Sequence, residues 1–167
     1  MCSNEYAFIL ASGLTAGNAA LVMAASRSYD TALKEMRKKR PDAKPGLRLL
    51  RHALAKGDAR AAYALATWYL HGTHVELDYR RAVVLLKQAA EQNIPDALYD
   101  LAVCYEKGEG IRKSEPKAYR LYLRGALWGD KQSIYEVGRC LFHGIGTRRD
   151  RRLADIWFAR AEALGVS

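Results

Sequence analysis

The chain has 167 residues, of which 50% are hydrophobic and 27% are charged, and this composition excludes an intrinsically disordered protein. The length is sufficient to bury a hydrophobic core. The three cysteines, Cys2, Cys104 and Cys140, are too few and too scattered for a disulfide framework, so a reducing, cytoplasmic location is expected. The formal net charge is +9, which points to a charged partner.

The first segment of interest, residues 6–26, carries no charge and resembles a signal peptide or a membrane span. Glu5 precedes it at a place where a signal peptide requires lysine or arginine, and Gly13 and Gly17 interrupt it. We therefore expect soluble helices here and no membrane span. A processed or lipidated N-terminus is the alternative, because MCSN resembles a lipoprotein start; the protein would then be periplasmic or lipid-anchored.

From residue 58 onward, one pattern recurs every 36 residues over three consecutive copies. The aligned columns are Tyr63, Tyr99 and Tyr135; Gly72, Gly108 and Gly144; Ala82, Ala118 and Ala154; Leu85, Leu121 and Trp157; and Ala89, Gly125 and Ala161. Agreement of this kind without a gap indicates one supersecondary unit copied in tandem.

Each copy is predicted to form two helices, A and B. Ala97, Leu101 and Tyr105 lie on one face of a helix A, as their spacing requires. The glycine column ends helix A by adopting positive φ, and a polar column then caps helix B. The expected capping residues are Asp78, Ser114 and Asp150.

A weaker copy precedes these three. The segment that begins at Gly17 aligns with the one that begins at Gly57 when it is shifted by 40 residues, and the four extra residues fall in the charged loop RKKRPDAKPG at 37–46. Helix A of this copy is predicted at 18–38. The predicted single domain, 1–167, is an all-α solenoid of about four helix pairs: an orphan helix at 4–15, a degenerate copy at 18–57, and good copies at 58–93, 94–129 and 130–165.

The orphan helix would form the weak end of such a stack. Tyr6, Phe8 and Ile9 have fewer neighbours there than the apolar residues of the inner copies. An end-to-end homodimer through this helix is therefore expected.

The segment ALYDLAVCYEKGEGIRKSEPKAYRLYLRGALWGD resembles a Sel1-like repeat, with departures at Thr73 for the second loop glycine, at Ser114 for aspartate and at Thr147 for valine. The resemblance implies a right-handed α/α superhelix of the tetratricopeptide kind that acts as a protein-binding adaptor. It also implies a possible role as an immunity protein that neutralises a toxic effector, as small bacterial members do. It implies no enzyme activity and no cofactor.

The residues themselves give no support to catalysis or metal binding. GEGIRKS at 108–114 ends like a phosphate loop, but Arg112 replaces the required glycine. His71 and His74 have no carboxylate or thiol at a metal-ligand spacing. Cys104 and Cys140 occupy equivalent positions on helices that would pack roughly 9 Å apart, so two reduced thiols are expected.

The partner-binding surface is predicted on the solvent side of the A helices, which line the concave face of such solenoids. The candidate residues are Arg60, Thr67, His71, Asp96, Asp100, Val103, Lys107, Gln132, Glu136, Arg139 and His143, bordered by Tyr63, Tyr99 and Tyr135. The tyrosines either offer contact area to a partner or merely pack between copies, and both interpretations stay open.

Charge is unevenly distributed along the chain. Basic clusters occur at 37–40 and 148–152, and the intervening segment 91–109 has five acidic residues and one lysine. A nucleic-acid-binding protein would instead show a continuous basic stripe. We therefore expect a protein partner with acidic patches, bound by an adaptor or by an immunity protein, and treat a nucleic-acid-binding solenoid as the alternative.

Overall fold

The computed structural model describes residues 16–36 and 43–166, and every regular element within these ranges is an α-helix. The helices are α1 (Ala16–Met36), α2 (Ala43–Ala55), α3 (Ala59–His71), α4 (Tyr79–Glu91), α5 (Pro95–Lys107), α6 (Glu115–Leu127), α7 (Lys131–His143) and α8 (Arg151–Ala163). The all-α prediction is confirmed. The orphan helix at 4–15 with its homodimer contacts, Cys2 and the basic cluster at 37–40 lie outside the described residues.

The described chain divides into two compact units, one ending at Ala61 and the other beginning at Ala62. In the first unit α1 packs against α2. That this helix pair is a degenerate copy of the repeat stays a prediction. One expectation is wrong here. The charged loop was predicted to reach residue 46, but α2 already begins at Ala43. Pro45 is accommodated because a proline in the first helical turn gives up no intrahelical hydrogen bond.

In the second unit, successive helices pack against each other from α4 to α8. Small residues fill the positions where helices approach closely: Ala82, Ala118 and Ala154 are at most 1% exposed. Larger apolar side chains, such as those of Leu86 and Leu98, fill the space between them and are fully buried. Burial of each such leucine contributes about 2 kcal/mol to folding.

Most helix ends follow the predicted signals. Gly108 and Gly144 lie in the left-handed region at φ 82° and 77° and end α5 and α7. The side chains of Asp78 and Asp150 accept the backbone N–H groups of Arg81 and Leu153 and so cap α4 and α8.

Ser114 departs from the prediction. It occupies the N-cap position of α6, but its side chain makes no capping hydrogen bond. The backbone N–H of Lys117, which the hydroxyl would cap, donates instead to the Ser114 carbonyl at 3.1 Å. The backbone thus satisfies a donor that the side chain was expected to satisfy.

The loops after α5 and α7 lie directly against the preceding copy. A Cβ atom on Gly110 would lie 2.2 Å from the carbonyl oxygen of Tyr79, and one on Gly146 would lie 2.1 Å from that of Glu115. The third member of this column is His74, at φ 64°. The second loop glycine is therefore replaced at position 74, and the assignment to Thr73 is wrong.

We predict that Gly110→Ala lowers the free energy of unfolding much more than Gly129→Ala does. Both glycines have positive φ, so alanine should cost about 1–2 kcal/mol at either position. No atom lies within 4 Å of a Cβ on Gly129, whereas one on Gly110 would collide with the backbone of α4, for roughly 2 kcal/mol more. Urea denaturation of the two variants measures the difference. Equal destabilisation would contradict the close approach of this loop to α4.

Candidate partner-binding surface

The structure presents the predicted residues of the second unit on three A helices. We call the solvent-facing side of α5, of α7 and of α3 from Ala62 onward the A-helix face. Its exposed candidates are His71, Asp96, Lys107, Gln132 and His143. Its partly buried candidates are Tyr63, Thr67, Tyr99, Asp100, Val103, Tyr135, Glu136 and Arg139.

Arg60 belongs to the first unit and is held there. Its guanidinium group lies 4.5 Å from the centre of the Tyr29 ring and donates to Ser26 Oγ at 3.0 Å. It also forms an ion pair of 2.8 Å with Asp58. These contacts account for the orientation of Arg60 within its own unit.

The three tyrosines of the A-helix face are anchored by their neighbours. Tyr63 donates a hydrogen bond to Asp100, which joins α3 to α5. The Tyr99 ring packs at 5.8 Å from the Tyr122 ring, and the Tyr135 ring packs at 5.4 Å from the Phe158 ring. Each tyrosine keeps part of its surface exposed. Both predicted roles, packing and contact area, are thus compatible with the geometry.

The part of the face around Asp100 is acidic. The pKa of Asp100 is raised to about 6, chiefly by burial and also by the nearby Asp96 and Asp130, against the opposing effects of Tyr63 and His71. The sequence did not single out Asp130. Its carboxylate accepts the Ser133 N–H at 2.6 Å at the start of α7, so it is fixed as a helix cap.

A polar network joins α5, α6 and α7 behind this face. Arg139 Nη2 donates to both carboxylate oxygens of Glu106, at 2.7 and 2.8 Å, and its Nε donates to Glu136. Tyr122 donates its hydroxyl to Glu106 at 2.9 Å. Burial alone would lower the pKa of Arg139, but the hydrogen bonds to both glutamates outweigh it and raise the pKa. The network fixes Glu136 and Arg139 on the surface.

Glu106 was not among the residues predicted from the sequence, although the repeat contains a signal for it. The equivalent residues in the other two copies are Leu70 and Phe142. A carboxylate in a column that is otherwise apolar requires a hydrogen-bonding partner, and Tyr122 supplies one where the other copies have Leu86 and Phe158.

The cysteines and histidines that were candidate chemical groups in the sequence are buried thiols and exposed imidazoles, respectively. Cys104 and Cys140 are free and buried, as predicted, and burial raises their thiol pKa values to about 11 and about 12. His71 and His74 are exposed, and the His74 ring contacts that of Trp68. Across 16–36 and 43–166, no three potential ligand side chains cluster in a way that could hold a metal ion. No helix in these ranges has the length and hydropathy needed to cross a membrane.

The three good copies match a known repeat family. The Sel1 repeat model matches residues 59–94, 95–130 and 131–166, which together make up more than half of the chain. The chain belongs to the Sel1 repeat family. Sel1 repeat proteins are generally protein–protein interaction modules, and the family is typically non-enzymatic.

Solved structures with Sel1 repeats share this fold. A Sel1 repeat protein from Oxalobacter formigenes has 34% sequence identity and a TM-score of 0.65, over 71% of this chain and 90% of that one. A protective antigen present in uropathogenic Escherichia coli strains, displaying an SLR fold, has 26% identity and a TM-score of 0.81 over 84% of this chain. The match covers only 31% of that antigen.

Cysteine rich protein B of Helicobacter pylori has the same fold at 19% identity, with a TM-score of 0.58 over 72% of this chain and 96% of that one. A sequence search of curated proteins returns no significant match.

We predict that Asp100→Asn raises the free energy of unfolding of this Sel1 repeat protein relative to the wild type, and that this gain grows as the pH rises from 4 to 7.5. The folded protein holds the Asp100 proton up to a pKa of about 6, against an ordinary value of 3.8, so ionisation above pH 4 costs stability. Asparagine removes this cost and can still accept the Tyr63 hydrogen bond. Urea denaturation should show a gain on the order of 2 kcal/mol at pH 7.5 and almost none at pH 4. Asp155→Asn, at an exposed position on α8, is the control; a gain for Asp100→Asn that is the same at both pH values would contradict the burial of this carboxyl.

Proposed function

We propose that this chain is a non-enzymatic module that binds a protein partner through its A-helix face. The observation that carries the proposal is the set of anchored tyrosines, each partly exposed on the same face of successive A helices. Rigid aromatic side chains lose little conformational entropy on binding and are enriched among the residues that dominate interface energies.

The fixed charges of the face support specificity. The network around Arg139 holds Glu136 in place before any partner arrives, so little ordering of these side chains is required on binding. Asp96, Asp100 and Asp130 lie on the neighbouring part of the face. This acidic character disfavours a nucleic-acid backbone as the ligand of this surface.

Acidic patches on the partner would be repelled by this acidic part of the face. They therefore require a basic surface elsewhere on the chain. The arginines of the segment 148–152, around the start of α8, are a described basic cluster that could supply it. The free thiols of Cys104 and Cys140 are compatible with a cytoplasmic location. An adaptor and an immunity protein would both use the A-helix face, so the identity of the partner distinguishes these two roles.

We predict that a triple variant of the A-helix face, Asp96→Lys/Lys107→Glu/Gln132→Lys, loses its partner while it keeps its fold. All three side chains are exposed, whereas reversing Glu136 or Arg139 would disrupt the network with Glu106. Affinity capture from nuclease-treated lysate of the source cells, with mass spectrometry, should recover one stoichiometric protein with the wild type. The variant should recover at least about tenfold less, as expected when several interface contacts are lost.

The matched control places the same three changes on B helices, as Asp155→Lys/Lys87→Glu/Gln88→Lys. These positions are also exposed, and the change in net charge is identical. The control should capture the partner as well as the wild type does. Loss of capture by the control, with retention by the A-helix-face variant, would contradict the proposed function.

A further inference from the structure

A cavity of about 590 Å³ opens between α6, α7 and the start of α8. Four arginines, Arg148, Arg149, Arg151 and Arg152, line it together with the apolar side chains of Leu141 and Leu153. We call it the arginine cavity. It lies at the loop between helices A and B of the third copy.

The side chains beside this cavity differ from those at the equivalent positions of the other two copies. In the first copy the guanidinium group of Arg81 lies 5.7 Å from the centre of the Tyr69 ring, and in the second the ammonium group of Lys117 lies 5.4 Å from that of the Tyr105 ring. Leucines occupy both equivalent positions in the third copy, at 141 and 153. The ring and the long cationic side chain are both missing, and the cavity occupies the place beside these leucines.

The charge of this region also changes between copies. In the second copy Lys113 forms an ion pair of 3.1 Å with Glu115. The equivalent residues in the third copy are Arg149 and Arg151, so the neutralising carboxylate has become a second cation. Throughout the described part of the chain, no carboxylate forms an ion pair with any of the four arginines.

Two of the arginines are held in place by other contacts. Arg149 Nε donates to the Phe142 carbonyl at 3.1 Å, and the Arg151 guanidinium group lies 5.1 Å from the centre of the Phe142 ring. Asp150 is the one acidic residue that lines the cavity, and its carboxylate accepts the Leu153 N–H as the cap of α8. The region therefore carries a fixed positive charge that its own residues leave largely uncompensated.

We propose that the arginine cavity binds an acidic segment of a protein partner, with carboxylates on the arginines and an apolar side chain against Leu141 and Leu153. Guanidinium groups bind carboxylates through paired hydrogen bonds, and the apolar part of the lining favours a peptide side chain over a sugar–phosphate backbone. This inference rests on the proposed function in that the ligand is a protein, but it concerns a surface separate from the A-helix face.

The test uses a fluorescent peptide in which glutamates and aspartates flank a Leu–Phe pair, with fluorescence anisotropy as the readout. The peptide should bind saturably to the full chain, and its analogue with glutamine and asparagine should not. Arg149→Gln/Arg152→Gln should weaken binding at least about tenfold, because it removes two charge-assisted contacts. Arg80→Gln/Arg160→Gln removes the same charge at exposed positions outside the cavity and should change the affinity less than about twofold.

A second variant distinguishes binding in the cavity from simple attraction by its positive charge. Leu141→Tyr/Leu153→Arg copies the ring and cation of the first copy, removes the apolar lining of the cavity and adds one positive charge. It should weaken peptide binding, whereas simple attraction by charge would strengthen it. Urea denaturation confirms that each variant is folded.

The proposal would be overturned by no saturable binding of the acidic peptide, or by tighter binding to Leu141→Tyr/Leu153→Arg. A single-stranded oligonucleotide that binds through the same arginines more tightly than the peptide would also overturn it, in favour of a nucleic-acid site. These failures are distinguishable from failure of the proposed function, because capture through the A-helix face is measured separately with variants on α5 and α7.

Discussion

The loops after α5 and α7 approach the preceding B helices so closely that no Cβ atom fits between them. Gly110 meets the backbone of Tyr79 in this way, and Gly146 meets that of Glu115. These contacts fix where the second and third good copies lie on the copy before them, and the small residues at the helix contacts, such as Ala118, complete the fit. Because every helix pair buries its apolar residues against its neighbours, the orientation of the A helices, and hence the composition of their outer face, follows from this constraint.

Differences between copies determine what the second unit can bind. Glu106 and Tyr122 replace apolar residues of the other copies, and their network with Arg139 holds Glu136 on the A-helix face. Leu141 and Leu153 replace a ring and a cation beside the arginine cavity. The shared columns thus build the scaffold and supply the tyrosines of the A-helix face, and departures from them add its fixed charges and the arginine cavity.

The sequence alone predicted most of the scaffold. The period of 36 residues places the helices of the three good copies, because glycines that adopt positive φ and aspartates that cap helices act locally. The start of α2 at Ala43 was missed because a loop rich in proline and charge gives a weak boundary signal. Ser114 was misassigned because the choice between a side-chain and a backbone acceptor depends on the geometry of one turn.

The two candidate binding surfaces were harder to predict from the sequence than the helices were. Along the chain, residues 148–152 form an obvious basic cluster. Whether such a cluster can bind a partner depends on which other charged groups lie on the same face of the folded protein. Glu106 and Arg139 are 33 residues apart and form an ion pair only because α5 and α7 lie side by side. Likewise, the space beside Leu141 and Leu153 becomes visible only when the third copy is compared in three dimensions with the contacts of the first two.

Site-specific photocrosslinking in the source cells tests the central claim, binding through the A-helix face, most directly. A photoreactive phenylalanine derivative would replace Gln132 on α7 and, in a matched protein, Gln88 on α4; both side chains are exposed. The account predicts one discrete protein adduct from position 132 and none from position 88. An adduct of the same protein from position 88, with none from position 132, would contradict it.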